Sequence, residues 1–412
     1  MGAVGASICL LHPRMVHAHA FGARYDLPLP LGFFLIGAAF VVFLTFVASI
    51  LLLGPRHIDG RYGHYDFLLS PRLFAWSRST LRWCFGAVGV TLFFIILATA
   101  LFGVDSPTRN FAPTFVWVIW WVGFAYVAQL FVNLWPWVNP WRWLGAAIDH
   151  LRGPRESTAV SVYACSLGHW PAVALFFVFA WVELISGAGE HPKTLATLIL
   201  AYTALSCVGV WFTGAHHWLA HGEVFSVAFG IFGRFAPIAP REEGIRLRLF
   251  GHGLLTETVA SPALMVFVVL MLSTVTFDGF LETPAWAGIL EWVAADLTVR
   301  PVLLALKQSG ADLPVVIKTA ALAIFPLLCL GAYMFFCRLM SSMTDGGHRT
   351  LFIACAFVSS LIPIAIAYHF AHYYSFLLLA GQLIIPLLSD PFGAGWNVFG
   401  TAHRAIDITV IN

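Results

Sequence analysis

Stretches of about 20 apolar residues recur along this chain, each long enough to cross a hydrocarbon core about 30 Å thick. Eight can be read, near 31–53, 84–103, 113–135, 168–187, 194–215, 255–276, 314–337 and 351–374. Inside lipid every backbone N–H and C=O has to be satisfied within its own segment, which leaves helices. Composition excludes the soluble alternative: 60% of residues are hydrophobic and 10% charged, against about 25% charged in water-soluble domains. The expected fold class is all-α, a polytopic transmembrane helical bundle of about eight spans. Residues 21–388 make up that bundle, 1–20 read as a signal peptide or a loosely ordered tail, and 389–412 as an outward C-terminal segment.

Orientation follows from the loops. One alternating set carries fourteen Lys and Arg, the other, with both termini, eight. The richer set belongs in the cytoplasm, so 54–82 and 225–253 face inward, and 277–313 and both mature termini face outward. Val16-His17-Ala18 and Ala18-His19-Ala20 fit small-x-Ala cleavage sites, although no positive region precedes residues 1–11. Pro363 interrupts the eighth span, leaving 375–388 as a half-helix or interfacial segment. Residues 225–240 are apolar but too short to span and read as an inner-face or re-entrant piece. In the long outward loop, Trp286, Ile289, Leu290 and Val293 recur at helical spacing, as in an interfacial helix.

The excluded chemistries narrow the field. A net charge of +2, with no basic tract interleaved with aromatics, argues against a nucleic-acid partner. Seven cysteines without CxxC spacing give neither a disulfide framework nor a zinc knuckle. No Walker loop, GxSxG or Rossmann glycine pattern stands in a suitable context, which argues against an ATP-driven pump or a serine hydrolase.

Ionisable groups within or at the ends of spans are expensive in lipid and therefore informative. The topology gathers His19, Arg24, Asp26, Glu183, Asp278, His369, His372, Asp390, His403 and Asp407 at the outer face. His369 and His372 are three apart and share a helical face. With carboxylates from neighbouring elements they suit a divalent metal; the alternative is a hydrogen-bonded cluster that orients helices. Glu183 reads as a proton relay, a metal ligand, or a side chain snorkelling to the interface, the last being preferred. At the inner face His216, His217, His221 and Glu223 lie together in sequence, and His217 and His221 have two-histidine metal spacing. Their place at a helix C-terminus explains them without a metal. His169 reads as the anchor of a span start.

Several segments carry a resemblance: HAFGARYDLPLP (19–30), RNFAPTFVWV (109–118), NPWR (139–142), LGHWPA (167–172), WVEL (181–184), GEVFSVAFGIFGR (222–234), STVTFDGF (273–280), and the run from AHYYSFLLLAGQ to SDPFGAGWNVFGTAHRAIDITVI (371–411). From about residue 19 onward the chain resembles the bacterial membrane family of fenitrothion hydrolase, an organophosphorus-ester hydrolase. The family's polar positions fall here on His19, Arg24, Asp26, Glu183, Glu223, Asp278, His372, Gln382, Asp390 and Asp407. His369, His216 and His217 fall outside that pattern. Family members tend to run past the positions of Val410 and Ile411 into a further span, whereas this chain ends at Asn412. The resemblance then implies a shorter paralogue, one subunit of a hetero-oligomer with a second homologous membrane subunit, or an early-terminated reading. It also implies the bacterial inner membrane as location.

The expected function is hydrolysis of small lipophilic phosphotriesters by metal-activated water at the outer boundary of the bilayer. His19, Asp278, His372 and Asp390 are the expected ligands of a divalent transition metal, whether zinc, copper or iron. Asp26 or Asp407 serves as base or orienting group, and Arg24 stabilises developing negative charge. Gln382 is a candidate to hold the imidazole. Two alternatives stay open: a metal or proton transporter or accessory subunit of a membrane complex, and a copper oxidase component in which cleavage makes His19 the N-terminal residue.

Overall fold

The computed structural model describes residues 64–68, 71–153, 167–240, 244–256, 261–344 and 349–411, with isolated helical positions between 32 and 47. His19, Arg24, Asp26, the cleavage sites and nearly all of the first expected span lie outside the described residues. The longer elements in chain order are β1 (His64–Leu68), α1 (Pro71–Phe102), α2 (Phe111–Leu130), α3 (Pro140–Arg152), α4 (Trp170–Ser186), α5 (Pro192–Thr213), α6 (Val224–Phe235), β2 (Ile238–Pro240), β3 (Gly244–Arg248), α7 (Pro262–Leu281), α8 (Pro284–Ala295), α9 (Val299–Gln308), α10 (Leu313–Ser342) and α11 (Thr350–Ser389).

The chain is a helical bundle. Among the described residues six helices are long and apolar enough to cross a membrane: Ser79–Phe102 within α1, then α2, α5, α7, α10 and α11. α4 and α6 are apolar but shorter. Helices α2 and α7 are the most enclosed, and α10 presents most of its surface outward. α7 packs on α4, α10 and α11, which sets it at the centre of the site-bearing half.

Among the described residues three segments take a wider turn than an α-helix. Residues Thr114–Phe124 of α2 and Val182–Ser186 of α4 are π-helical, as is the short turn Trp218–Gly222 before α6. Wide turns of this kind are often found at functional positions. α11 runs through Pro363 as one 40-residue helical stretch, so 375–388 is not a separate half-helix. The stretch is interrupted by 3-10 turns at Val358–Leu361, just before the proline, and at Gly381–Leu383. Pro363 then falls in the first turn of Ile362–Ala380, where its missing N–H costs no hydrogen bond. At 1.5 Å per residue such a stretch is about 60 Å long, twice the hydrocarbon thickness, so it cannot lie wholly inside the core.

Most of the 225–240 segment, through Phe235, is the helix α6, enclosed by protein, and its end, Ile238–Pro240, is strand β2. Val224, Phe225, Val227, Ala228, Phe229, Ile231 and Phe232 are all buried. Phe225 and Phe229 pack against Trp120, Trp121 and Trp135. A helix placed this way must satisfy its ends without water. At the N-terminus the Glu223 carboxylate accepts the backbone N–H groups of Phe225 and Ser226. At the C-terminus the buried Arg248 guanidinium donates to the carbonyls of Gly233, Arg234 and Ala236. Anion at one end and cation at the other both suit the helix dipole.

Arg248 is carried by a three-stranded antiparallel sheet, order β1-β3-β2, that no sequence pattern announced. β1 belongs to the 54–82 loop and β3 to the 225–253 loop, so the two loops lie on the same side of the bundle. Arg246 and Asp66 form a bidentate ion pair across it at 2.6 and 2.8 Å. It is half-exposed and contributes little.

The expected interfacial helix in 277–313 is α8. Its Trp286 is buried against Phe277 and Phe280 while Trp292 faces out.

One close approach is testable. A Cβ on Gly89 of α1 would overlap the backbone of Val138, whereas a Cβ on Gly230 of α6 meets nothing within 4 Å. Gly89→Ala is therefore expected to lower stability by about 1–3 kcal/mol, the usual cost of overpacking. Gly230→Ala is expected to leave it unchanged or raise it by up to about 1 kcal/mol through helix propensity. Thermal unfolding in detergent measures both, and equal midpoints would refute the packing argument.

Candidate functional site

Asp278 sits in the last turn of α7, and His372 on α11. Although 94 residues apart, they meet: His372 Nε2 lies 2.6 Å from Asp278 Oδ2. The pair is mostly enclosed, with side-chain exposures of 24% for His372 and 10% for Asp278. Tyr368, one turn before His372, stacks on its imidazole. Gly279 keeps space for that tyrosine, because a Cβ there would overlap the Tyr368 hydroxyl.

The pair continues inward along one face of α11. His369, His372 and Tyr373 share that face at spacings of three and four. The buried Tyr373 hydroxyl donates to Glu183 Oε1 at 3.3 Å and is also within hydrogen-bonding reach of Asp278. Glu183 Oε1 accepts a second bond, 2.8 Å, from the Trp121 indole N–H. Trp121 and Glu183 stand on the π-helical turns of α2 and α4. Glu183 is thus turned into the bundle rather than snorkelling to an interface. A small internal cavity of about 20 Å³ opens beside it, lined by Glu183, His369, Tyr373, Trp121 and Thr274 among others. His369 is 2% exposed, and neither of its ring nitrogens has a hydrogen-bond partner.

The other expected site residues lie elsewhere. Asp390 spends both carboxylate oxygens on its own turn, accepting the N–H groups of Ala394 and Gly395 at 2.9 and 2.7 Å. Asp407 is exposed and takes the Thr409 hydroxyl and N–H. That hydroxyl, then the N–H, holds its carboxyl below the ordinary aspartate range. Gln382 does not hold the imidazole: its amide pairs with the backbone N–H and C=O of Asp407 and with Leu378 O. The group that fixes the ring is Asp278.

Glu223 does not join the inner histidines. It is fully buried, and its carboxylate receives Tyr202 OH (2.7 Å), Trp135 Nε1 (3.1 Å), Asn139 Nδ2 (3.0 Å), Ser226 Oγ (2.5 Å) and the two N–H groups of α6. All six contacts are donors, which an acceptor-only carboxylate can accept. His216 is exposed. His217 stacks on His221, and His221 contacts His169, so the span-start histidine belongs to this imidazole row.

A larger cavity of about 310 Å³ lies on the other side of α2 and α4, between them and α1, α5 and α6. It is lined almost wholly by apolar and aromatic side chains, with Tyr202 as its polar point, and contains neither member of the Asp278–His372 pair. Its size falls in the usual range for ligand pockets.

The described donors do not by themselves make a metal centre. Among the described residues no group of three or more His, Cys, Asp or Glu side chains is placed to hold an ion. Asp278 and His372 lie 2.6 Å apart. What the pair offers as placed is acid–base chemistry: a carboxylate that fixes one ring nitrogen and so defines the role of the other. Tyr373 and Trp121 were not singled out in the sequence. The signal for Tyr373 was its i+4 spacing from His369 in AYHFAHYYSF. No family model, curated protein or solved structure matches the chain.

Proposed function

We propose that this chain is a membrane-embedded hydrolase of small lipophilic organophosphorus triesters, in which His372 is the general base. The observation that supports this reading most directly is the 2.6 Å contact between His372 Nε2 and Asp278 Oδ2. With Nε2–H donated to Asp278, the lone pair of the neutral ring resides on Nδ1. That nitrogen takes a proton from water as the water attacks phosphorus, and the aryl oxide departs. Asp278 holds the tautomer and stabilises the imidazolium that forms, as a carboxylate does for a catalytic histidine. Neutral triesters partition into the bilayer, so a base at the boundary of a transmembrane bundle meets its substrate where the substrate concentrates. The resemblance supplies the substrate class.

Detergent-purified protein is expected to release nitrophenolate from a nitroaryl phosphotriester, with bound metal quantified in the same preparation. Absence of turnover at every metal loading, combined with metal or proton flux in proteoliposomes, would instead establish the transport alternative.

The orientation belongs to the same proposal. Eight spans with α8 and α9 outside put the pair at the outer boundary. A cysteine introduced at Glu291 in α8 is expected to react with an impermeant thiol reagent in intact spheroplasts. Labelling only after lysis would place the pair at the cytoplasmic side.

A further inference from the structure

The cavity of about 310 Å³ between α1, α2, α4, α5 and α6 is walled by rings. Trp120 meets Phe225 edge-to-face with centroids 4.6 Å apart, and Trp141 meets Tyr202 in the same way at 4.8 Å. Trp117 stacks on Phe179 at 5.7 Å. Aromatic pairs attract at these separations, so a further ring inside the cavity continues a network the walls already form. Among the described residues that line the cavity none is charged. A charged ligand would give up its water there with no opposite charge in return.

Four of the polar side chains in the wall spend their hydrogens on the protein. Trp117 Nε1 donates to Gly189 O, Trp141 Nε1 to Thr203 Oγ1, and both Trp135 Nε1 and Tyr202 OH to Glu223. Each of these groups has a single hydrogen to give, so the four offer a ligand their rings and not a donor. Water finds few partners in such a space. An apolar cavity of about 150 Å³ stays dry and takes up one benzene, and this one has about twice that volume. Two fused rings suit it.

The cavity is also placed to receive an apolar guest from outside the bundle. α1 and α5, which form part of its wall, each have only 22% of their most apolar stretch buried inside the protein. Val178 of α4 lines the cavity while its own exposure is 55%.

We propose that this cavity is a binding site for a neutral lipophile with a fused aromatic ring system, taken up from the bilayer. This goes beyond the hydrolytic reading and does not rest on it. The cavity holds neither Asp278 nor His372, and it shares no lining residue with the small cavity beside Glu183.

Quenching of tryptophan fluorescence by 1-bromonaphthalene, with the protein in lipid nanodiscs, tests the assignment without any turnover. Four of the sixteen tryptophans line the cavity, and a bromoarene seated there lies against them. Partition into the bilayer quenches in proportion to concentration, whereas a site saturates. A saturable component is expected in wild type, and unbrominated naphthalene is expected to reverse it. The double variant Leu92→Phe, Ile199→Phe, which adds ring volume to the cavity from α1 and α5, is expected to lose that component and keep the linear one. Purely linear quenching in wild type, or a saturable component unchanged in the double variant, overturns the proposal. Lipids with brominated acyl chains supply a second arm: quenching by them that naphthalene cannot displace would make the occupant a lipid tail and overturn the ring assignment. Should the double variant fail to accumulate, the bromine position in wild-type crystals decides. Anomalous density between Trp120, Phe179 and Tyr202 is expected, and bromine elsewhere or nowhere overturns the site.

Discussion

Glu223→Ala is expected to cost about 4 kcal/mol or more and to leave little folded protein in the membrane, which places it among exceptionally destabilising substitutions. The carboxylate is the common acceptor for Tyr202, Trp135, Asn139, Ser226 and the first turn of α6. Alanine removes the acceptor and leaves the donors enclosed, and each buried donor left unmade costs about 1–3 kcal/mol. The losses do not add in full, because Ser226 and Asn139 can still bond each other, as they do at 3.3 Å. The N-cap of α6 is lost as well, typically about 1 kcal/mol. Glu223→Gln keeps the shape but points an N–H₂ at a ring of donors, so it is expected to fall between alanine and wild type. Thermal midpoints in detergent, with expression yield, measure the series. An alanine variant within about 1 kcal/mol of wild type would mean that water reaches this cluster, contrary to its complete burial.

The reason such a cluster escaped the sequence is physical. Glu223 was read beside His216, His217 and His221 because they adjoin it in the chain. The wide turn Trp218–Gly222 reverses that neighbourhood, sending Glu223 inward and leaving His216 exposed. The helices themselves were legible, since about 20 apolar residues admit one solution in lipid. The sheet was not: HYDFL and GIRLR are five residues each and pair across 180 positions, as Asp66 with Arg246. At the site, Asp278 and His372 stood out because ionisable groups in spans are costly unless paired, and the two are indeed partners. Asp390 and Asp407 looked equivalent to them by residue type. Their local sequences, DPFGAG and DIT, instead favour side chain-to-backbone turns, and those turns absorb both carboxylates. The Glu183 cavity needed α2, α4, α7 and α11 together before it existed at all.

His372→Ala is expected to lower phosphotriester turnover by about 10²–10⁴-fold, the usual contribution of a positioned general base. Asp278→Asn is expected to reduce it as well, because an amide can hold the ring in the tautomer whose basic nitrogen points away from water. Both proteins should still insert and fold. His372 keeps 24% of its side chain exposed, so water can replace part of what each substitution removes. The two variants also separate the roles of the pair. If His372 is the base and Asp278 its orienting partner, a modified chemical step appears as a lower kcat with substrate affinity preserved, and Asp278→Asn retains a residual rate above His372→Ala. If the pair ligates an ion together with His19, both variants instead lose bound metal in elemental analysis, and excess metal restores turnover more readily to Asp278→Asn than to His372→Ala. Turnover unchanged in both variants, with the protein folded, would remove the Asp278–His372 pair from the chemistry and leave it as a hydrogen bond that fixes α7 against α11.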